Sequence, residues 1–250
     1  MAHNYPESPV SEVVFGMRFS SEMPWYPTLP GLFYNEIRGE YPLKDKKILE
    51  EYVHDSGKSN RNNSPRIVKT EFSVFWSDDR RSYIQLSPNF IAVVVYSPYP
   101  GWDAVRGKIK RAITAYNRLH EISRIERIGL RYLDRLPLPQ GVEAISDYLS
   151  FRPETGKGFG KLPVSFQIEC DFPFSDGRDI CRINLKPENR DSDQDEANII
   201  LKIDYFLSSE GAIFNDEVMD WLDYSHEQIH MVFDSCITKK MNEYLKATKT

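Results

Sequence analysis

The sequence predicts an α+β fold: about eight strands in one antiparallel sheet, helices over a single face, and two β-α-β-β-β-α halves. Three observations carry that prediction. The pattern hydrophobe, Gly, long hydrophobe, Arg, aromatic occurs twice, as FGMRF at 15–19 and IGLRY at 128–132, each time at the head of a similar run of elements. Several runs alternate apolar and polar residues, which packs one side of a sheet and leaves the other at least partly wet, as antiparallel pairing allows. Two long stretches place apolar residues at helical spacing, and a sheet packed on one side puts them all over that side. No Pro/Gly/Ser linker separates the halves, so residues 1–250 read as a single domain with pseudo-repeat halves 1–122 and 123–250, internally duplicated and saddle-like about a pseudo-twofold axis.

Residues 12–20 (EVVFGMRFS) read as the first strand. A short helix follows around LPGLFYNEIR, with Thr28 as its cap and Pro30 in its first turn. The polar stretch HDSGKSNRNNSP, 54–65, reads as a mobile loop. Three strands come next, IVKTEFSVFW, SYIQLS and FIAVVVYS, the first two joined across the turn SDDRR. In GWDAVRGKIKRAITAYNRLHEI the residues Trp102, Val105, Ile109, Ala112, Ile113, Tyr116 and Leu119 share one helical side, leaving Arg106, Lys108, Lys110 and Arg111 mostly for water.

The order then restarts with the strand RIERIGLRYLDRL, a helix over GVEAISDYLS, a Gly-rich loop and the strands VSFQIECDF, DICRINLK and ANIILKIDYFL. A closing helix is expected from a cap at Asn215 through the segment ending NEYLK. Its apolar stripe is Val218, Trp221, Leu222, Ile229, Val232, Phe233 and Cys236.

The bulk numbers exclude several classes. Hydrophobic residues at 40% and charged residues at 28% are globular proportions, not those of a disordered chain. A net charge of −5 supplies no global attraction to nucleic acid or anionic lipid, which disfavours both as partners. The N-terminus lacks a leader pattern and no apolar run is long enough for a bilayer, so no membrane association and a cytoplasmic location are expected. Cys170, Cys181 and Cys236 lack CxxC spacing and read as reduced core residues.

Two constellations could carry function. Alternation puts Gly16 and Arg18 on the wet face of the first strand, and Arg127, Gly129, Arg131 and Arg135 on the wet face of the equivalent strand. Gly beside a guanidinium admits a close approach, and Arg grips a carboxylate or phosphate through two parallel hydrogen bonds. That predicts a shallow anion or peptide site. The plainer alternatives are cross-strand ion pairs, with Glu12 or Glu169 for example, or packing of each Gly beneath an aromatic ring.

The second constellation is HEQIH, 226–230, a match to HExxH on a helix. In the metal reading His226 and His230 bind zinc and Glu227 acts as catalytic base. Against it, Glu227 falls opposite the apolar stripe, few residues follow to supply a third ligand, and Asp223 stands where zinc-peptidase helices generally have an uncharged residue. GKGFGK at 156–161 precedes a strand rather than a helix N-terminus, and DSDQDE at 191–196 lacks the Gly and the final Glu of a calcium loop. No cofactor is implied.

The stretches SPVSEVVFGMRF, LSPNFIAVVVYSPYPGWDAV, RIERIGLRYLDRL and WLDYSHEQIHMVFDSCIT together resemble a sporadically distributed family of uncharacterised bacterial and archaeal proteins of about this length. The resemblance spans nearly the whole chain. IGLRYLDR and the Tyr-Pro-Gly-Trp turn are its most specific parts. It implies a patchy distribution of the kind seen in mobile-element or phage-defence cargo, and no catalytic residues. The expected function is therefore a non-enzymatic binding or accessory protein that recognises a protein or peptide partner, in a phage-defence or toxin–antitoxin setting. A nucleic-acid-binding saddle using Arg18, Arg127, Arg131 and Arg135 and a zinc-dependent hydrolase are the alternatives, and association into a homo-oligomer stays open.

Overall fold

The structure is a computed structural model that describes residues 5–20, 24–53, 66–139, 142, 144–154, 165–188, 197–209 and 213–247. The first half runs β1 (Val10–Ser20), α1 (Leu29–Ile37), β2 (Leu43–Val53), β3 (Arg66–Trp76), β4 (Ser82–Ser87), β5 (Phe90–Tyr96) and α2 (Trp102–Asn117). The second runs β6 (Arg124–Pro137), β7 (Ile168–Phe174), β8 (Asp179–Pro187), β9 (Asn198–Leu207), α3 (Val218–Cys236) and α4 (Lys239–Ala247).

All nine strands form one sheet in the order β2-β3-β4-β5-β1-β6-β9-β8-β7, antiparallel throughout. Outward from the central pair β1–β6, each side continues with the last strand of its own half and works back through the chain. Side-chain alternation sends Val13, Phe15, Met17 and Phe19 of β1 and Ile128, Leu130, Tyr132 and Leu136 of β6 to one face, where all are buried. Helix residues Phe33, Ile109, Tyr116, Leu222 and Ile229 join them in a single hydrophobic cluster. Burying these side chains supplies the main drive to fold. On the opposite face of β1 and β6, Arg18, Arg127 and Arg135 are exposed.

The sheet has nine strands rather than about eight because β2 escapes an alternation reading. Its sequence, LKDKKILEEYV, crowds charge onto an outermost strand that pairs only with β3, Leu43 opposite Trp76 through Val53 opposite Arg66. Outer strands tolerate such charge, which discourages pairing with other chains.

The helix expected over GVEAISDYLS does not form among its described residues. One 3₁₀ turn, Ile145–Asp147, precedes a bridge from Leu149 to Ile237, with Ser150 N–H donating to the Cys236 carbonyl at 2.8 Å. The closing helix breaks at that bridge. Ile237 is extended (φ −107°, ψ 155°), and the Thr238 hydroxyl accepts from Met241 N–H at 3.2 Å, opening α4 with a new cap. Two consecutive β-branched residues mark the break. Asn215 begins a 3₁₀ turn rather than capping α3, and Glu217 accepts from the Phe214 N–H instead.

Thr28 occupies the cap position of α1 without a side-chain hydrogen bond, and Pro30 lies in the first turn as expected. The stretches 54–65, 156–161 and 191–196 lie outside the described residues. Among the described residues no helix is long and apolar enough to cross a membrane.

Candidate functional site

The two Gly-x-Arg motifs meet at the centre of the sheet. Gly16 stands directly opposite Gly129, Arg18 opposite Arg127 and Val14 opposite Arg131. Arg18 and Arg131, each two residues past its glycine, therefore lie on opposite sides of the glycine pair. A Cβ on Gly16 would lie 3.8 Å from the Phe90 ring, and one on Gly129 would come within 3.3 Å of the Phe206 Cβ. Gly16 thus faces an aromatic ring, whereas Gly129 is crowded by the Phe206 Cβ and the β9 backbone.

Two of the four arginines are held in ion pairs. Arg131 donates from Nη2 to Glu12 at 3.2 Å, while its buried Nε has no partner among the described residues. Arg135 bonds Glu188, at 2.8 Å from Nε. Beside Arg131 on β9, burial raises the acid of Asp204, opposed first by Arg131 and then by Lys202.

Arg18 and Arg127 differ from that pair. Both are exposed, and no ion pair joins either to another described residue. The Arg127 guanidinium lies 5.1 Å from the centre of the Phe206 ring, and Arg182, bound to Asp171 at 2.6 Å, approaches the same ring at 5.7 Å. Arg18, Arg127, Arg182 and Phe206, with Glu126, Leu207 and Ser208, line a polar hollow of about 540 Å³. Arg18 and Arg131 share a backbone position relative to their glycines, but not an environment.

The helix-covered side holds a second constellation. His226 and His230, one turn apart on α3, face a cavity of about 270 Å³ that is also lined by β6, by the turn Tyr99–Trp102 and by residues 5 and 8–10. The exposed Ser8 and Pro100 take part in the lining, so the cavity reaches solvent. Gly101, at φ +91°, makes the turn that brings Tyr99 and Trp102 to the cavity, a conformation L side chains rarely adopt.

His226 is buried and stacks on the Trp102 indole, with centroids 4.1 Å apart and planes 8° from parallel. Its Nδ1 is 3.0 Å from the Tyr132 hydroxyl, itself 3.1 Å from the Tyr99 hydroxyl. Burial pushes the imidazole down to about 3, with His230 adding to the effect and Asp223 opposing it. A neutral ring has one donor and one acceptor nitrogen, so the Tyr99–Tyr132–His226 relay reads in either direction according to the tautomer. Asp223 ties α3 to α2, accepting from Trp102 Nε1 at 3.1 Å and from Arg106 Nε at 2.7 Å and Nη2 at 2.8 Å.

No protein-family model matches this chain, and no curated protein does either.

Among the described residues the zinc geometry is not assembled. The two imidazoles are close, with centroids 4.4 Å apart, but Glu227 points outward and is exposed. Among the described residues no three His, Cys, Asp or Glu side chains come together to hold a metal. Asp223, which the sequence reading counted against zinc, is an acceptor in the α2–α3 contact.

The group that reading missed is Asp134. It lines the cavity at 3% exposure, and no hydrogen bond joins its carboxyl to another described residue. Burial alone raises its acid from 3.8 to about 7. The signal lay in RIERIGLRYLDRL, where Asp134 occupies an inward position of the run Ile128, Leu130, Tyr132, Leu136.

Proposed function

We propose that this chain is a non-enzymatic binding module whose sheet face opposite the described helices receives an acidic segment of a protein or peptide partner, with Arg18 and Arg127 gripping its carboxylates. One observation carries the reading: Arg18 and Arg127, both exposed, are register partners on neighbouring strands, and no ion pair joins either to a described residue. Like charges so placed destabilise a sheet, and an incoming anion would relieve them. Each guanidinium offers a fork of donors suited to a carboxylate, and Phe206 gives the hollow an apolar floor.

The same reading includes an internally duplicated, saddle-like sheet. FGMRF and IGLRY would be copies of one motif, a view supported by the opposed glycines and by the matching outward order of strands. The resemblance to a patchily distributed family motivates a partner from a phage-defence or toxin–antitoxin pair.

Nucleic acid is the weaker reading, because Arg131 and Arg135 are already engaged by carboxylates and the chain is acidic overall. The outward-facing Glu227 disfavours the zinc hydrolase.

Co-purification from the native host tests the proposal, comparing the wild-type chain with an Arg18→Ala/Arg127→Ala double variant of unchanged melting temperature. The expected result is an identified acidic protein whose recovery falls about tenfold or more with the variant, and also falls as salt is raised. Equal recovery by both chains, or no retained protein, overturns it. A salt-sensitive DNA or RNA shift that depends on the same two arginines would replace it with the nucleic-acid reading.

A further inference from the structure

The cavity under α3 has a chemical character that the sheet face does not share. Its walls are largely aromatic, with Tyr99, Trp102, Tyr132 and Phe233 among them, and its most buried charged group is the Asp134 carboxyl. No Lys or Arg is among the described lining residues, and the nearby Arg106 is held by three hydrogen bonds to Asp223. The site therefore offers a carboxylate with no described counter-ion and several π faces, which attract positive charge.

We propose that this cavity binds a small organic monocation, an alkyl- or arylammonium ion, with the Asp134 carboxylate as its counter-ion and the aromatic walls around its hydrocarbon part. The volume, about 270 Å³, suits a small molecule rather than a peptide side of any length.

The competing ligand classes fit less well. An anion would meet Asp134 with no Lys or Arg among the described lining residues to offset it. A neutral ligand would leave the carboxyl as it stands, protonated below about pH 7 because burial disfavours its charge. A metal ion lacks a third ligand among the described residues. The imidazole of His226 does not serve as an internal cation, since burial holds it neutral.

The groups facing Asp134 are Tyr132 on its own strand, Tyr99 in the turn, Tyr5, and His226, His230 and Cys236 on α3. The Tyr5, Tyr99 and Tyr132 hydroxyls and the Cys236 thiol are all shifted upward by burial. All four are therefore neutral at physiological pH, and an ammonium ion would add the charge that the carboxylate lacks. Binding then requires the ionised carboxylate and releases its proton, so affinity should rise about tenfold per pH unit below about 7 and level off above it.

The experiment is calorimetric titration of the full chain with benzylammonium and butylammonium from pH 5.5 to 8.5, with benzoate and benzyl alcohol as the anionic and neutral controls. The expected result is saturable binding of at least one ammonium ion, neither control binding, and the pH dependence just described. Asp134→Asn should weaken that binding at least tenfold and abolish its pH dependence. The wild-type pH profile keeps the test decisive if the variant folds poorly. Absence of binding by both ammonium ions at millimolar concentration overturns the proposal, as do equal binding of benzyl alcohol, a flat pH profile, or unchanged affinity in Asp134→Asn. The cavity is on the opposite side of the sheet from Arg18 and Arg127, so failure here and failure of the partner-binding reading are separate results.

Discussion

Asp134 and His226 share a cavity, and burial acts on their charged forms in the same way, yet they tilt stability in opposite directions. The Asp134 acid is raised from 3.8 to about 7. Across that window the folded chain keeps a proton that the unfolded chain has lost, so this group's contribution to stability falls as pH rises. The His226 imidazole is lowered from 6.5 to about 3. Between those values the unfolded chain takes up a proton that the folded chain refuses, so this contribution falls as pH drops. The two slopes oppose each other between about pH 4 and 6.5 and partly cancel. Urea denaturation across pH should separate them. Relative to wild type, Asp134→Asn should gain stability as pH rises from about 4 to 7, by roughly 2–4 kcal/mol at the top of the range. His226→Gln should gain as pH falls from 6.5 toward 4. Differences that stay level with pH would show that neither group is buried as described.

Carboxylates with equally short contacts differ in worth according to the elements around them. Asp171 on β7 and Asp179 on β8 both bond an arginine at 2.6 Å. The first is 45% exposed; the second is fully buried and also accepts from Trp221 Nε1 of α3 at 3.1 Å and the Tyr205 hydroxyl of β9 at 3.2 Å. Removing a buried acceptor strands its donors, whereas an exposed pair is largely screened. Asp179→Ala is expected to destabilise by about 3 kcal/mol and Asp171→Ala by less than about 1 kcal/mol, read from denaturation midpoints. Equal losses would contradict this account of how α3 is fastened to the sheet. The strands that alternate cleanly, β1, β6 and β9, were legible in the sequence because period 2 registers a packed face directly. Strand β2 was not, because its residues answer to an outer edge rather than to a core. The break at Ile237 was hidden for another reason: the flanking helical stretches are both amphipathic, and only the tertiary bridge to Leu149 shows why the chain extends between them.

The molecule is held together across its middle by β1 and β6, the strands on which the Gly-x-Arg motifs lie. The recurrence of Gly-x-Arg was legible; the unequal space around the two glycines was not, since it depends on β5 and β9. A Cβ at Gly16 meets the Phe90 ring at an ordinary 3.8 Å, whereas one at Gly129 meets the Phe206 Cβ at 3.3 Å and the Tyr205 carbonyl oxygen at 3.6 Å. Gly16→Ala should therefore be neutral or stabilising by up to about 1 kcal/mol, through the entropy it removes from the unfolded chain. Gly129→Ala should destabilise by about 1 kcal/mol or more as the β6–β9 contact is forced apart. Thermal melts of the two variants check the contrast, and matching shifts would refute it. Strand alternation made legible the side of the sheet on which the arginines lie. The sequence offered Glu12 as a cross-strand partner without assigning it to Arg131, and it did not disclose the Arg135–Glu188 pair, because Glu188 arrives from elsewhere in the chain. An open sheet also has two ends. At one, β7 carries Pro173, which has no backbone donor, between the acidic Glu169 and Asp171 and the hairpin to β8; at the other, β2 begins with the charged run Lys44 to Lys47. A second molecule laid along either margin would find an incomplete hydrogen-bond ladder or a fence of charge, features that disfavour growth into fibrils by strand addition.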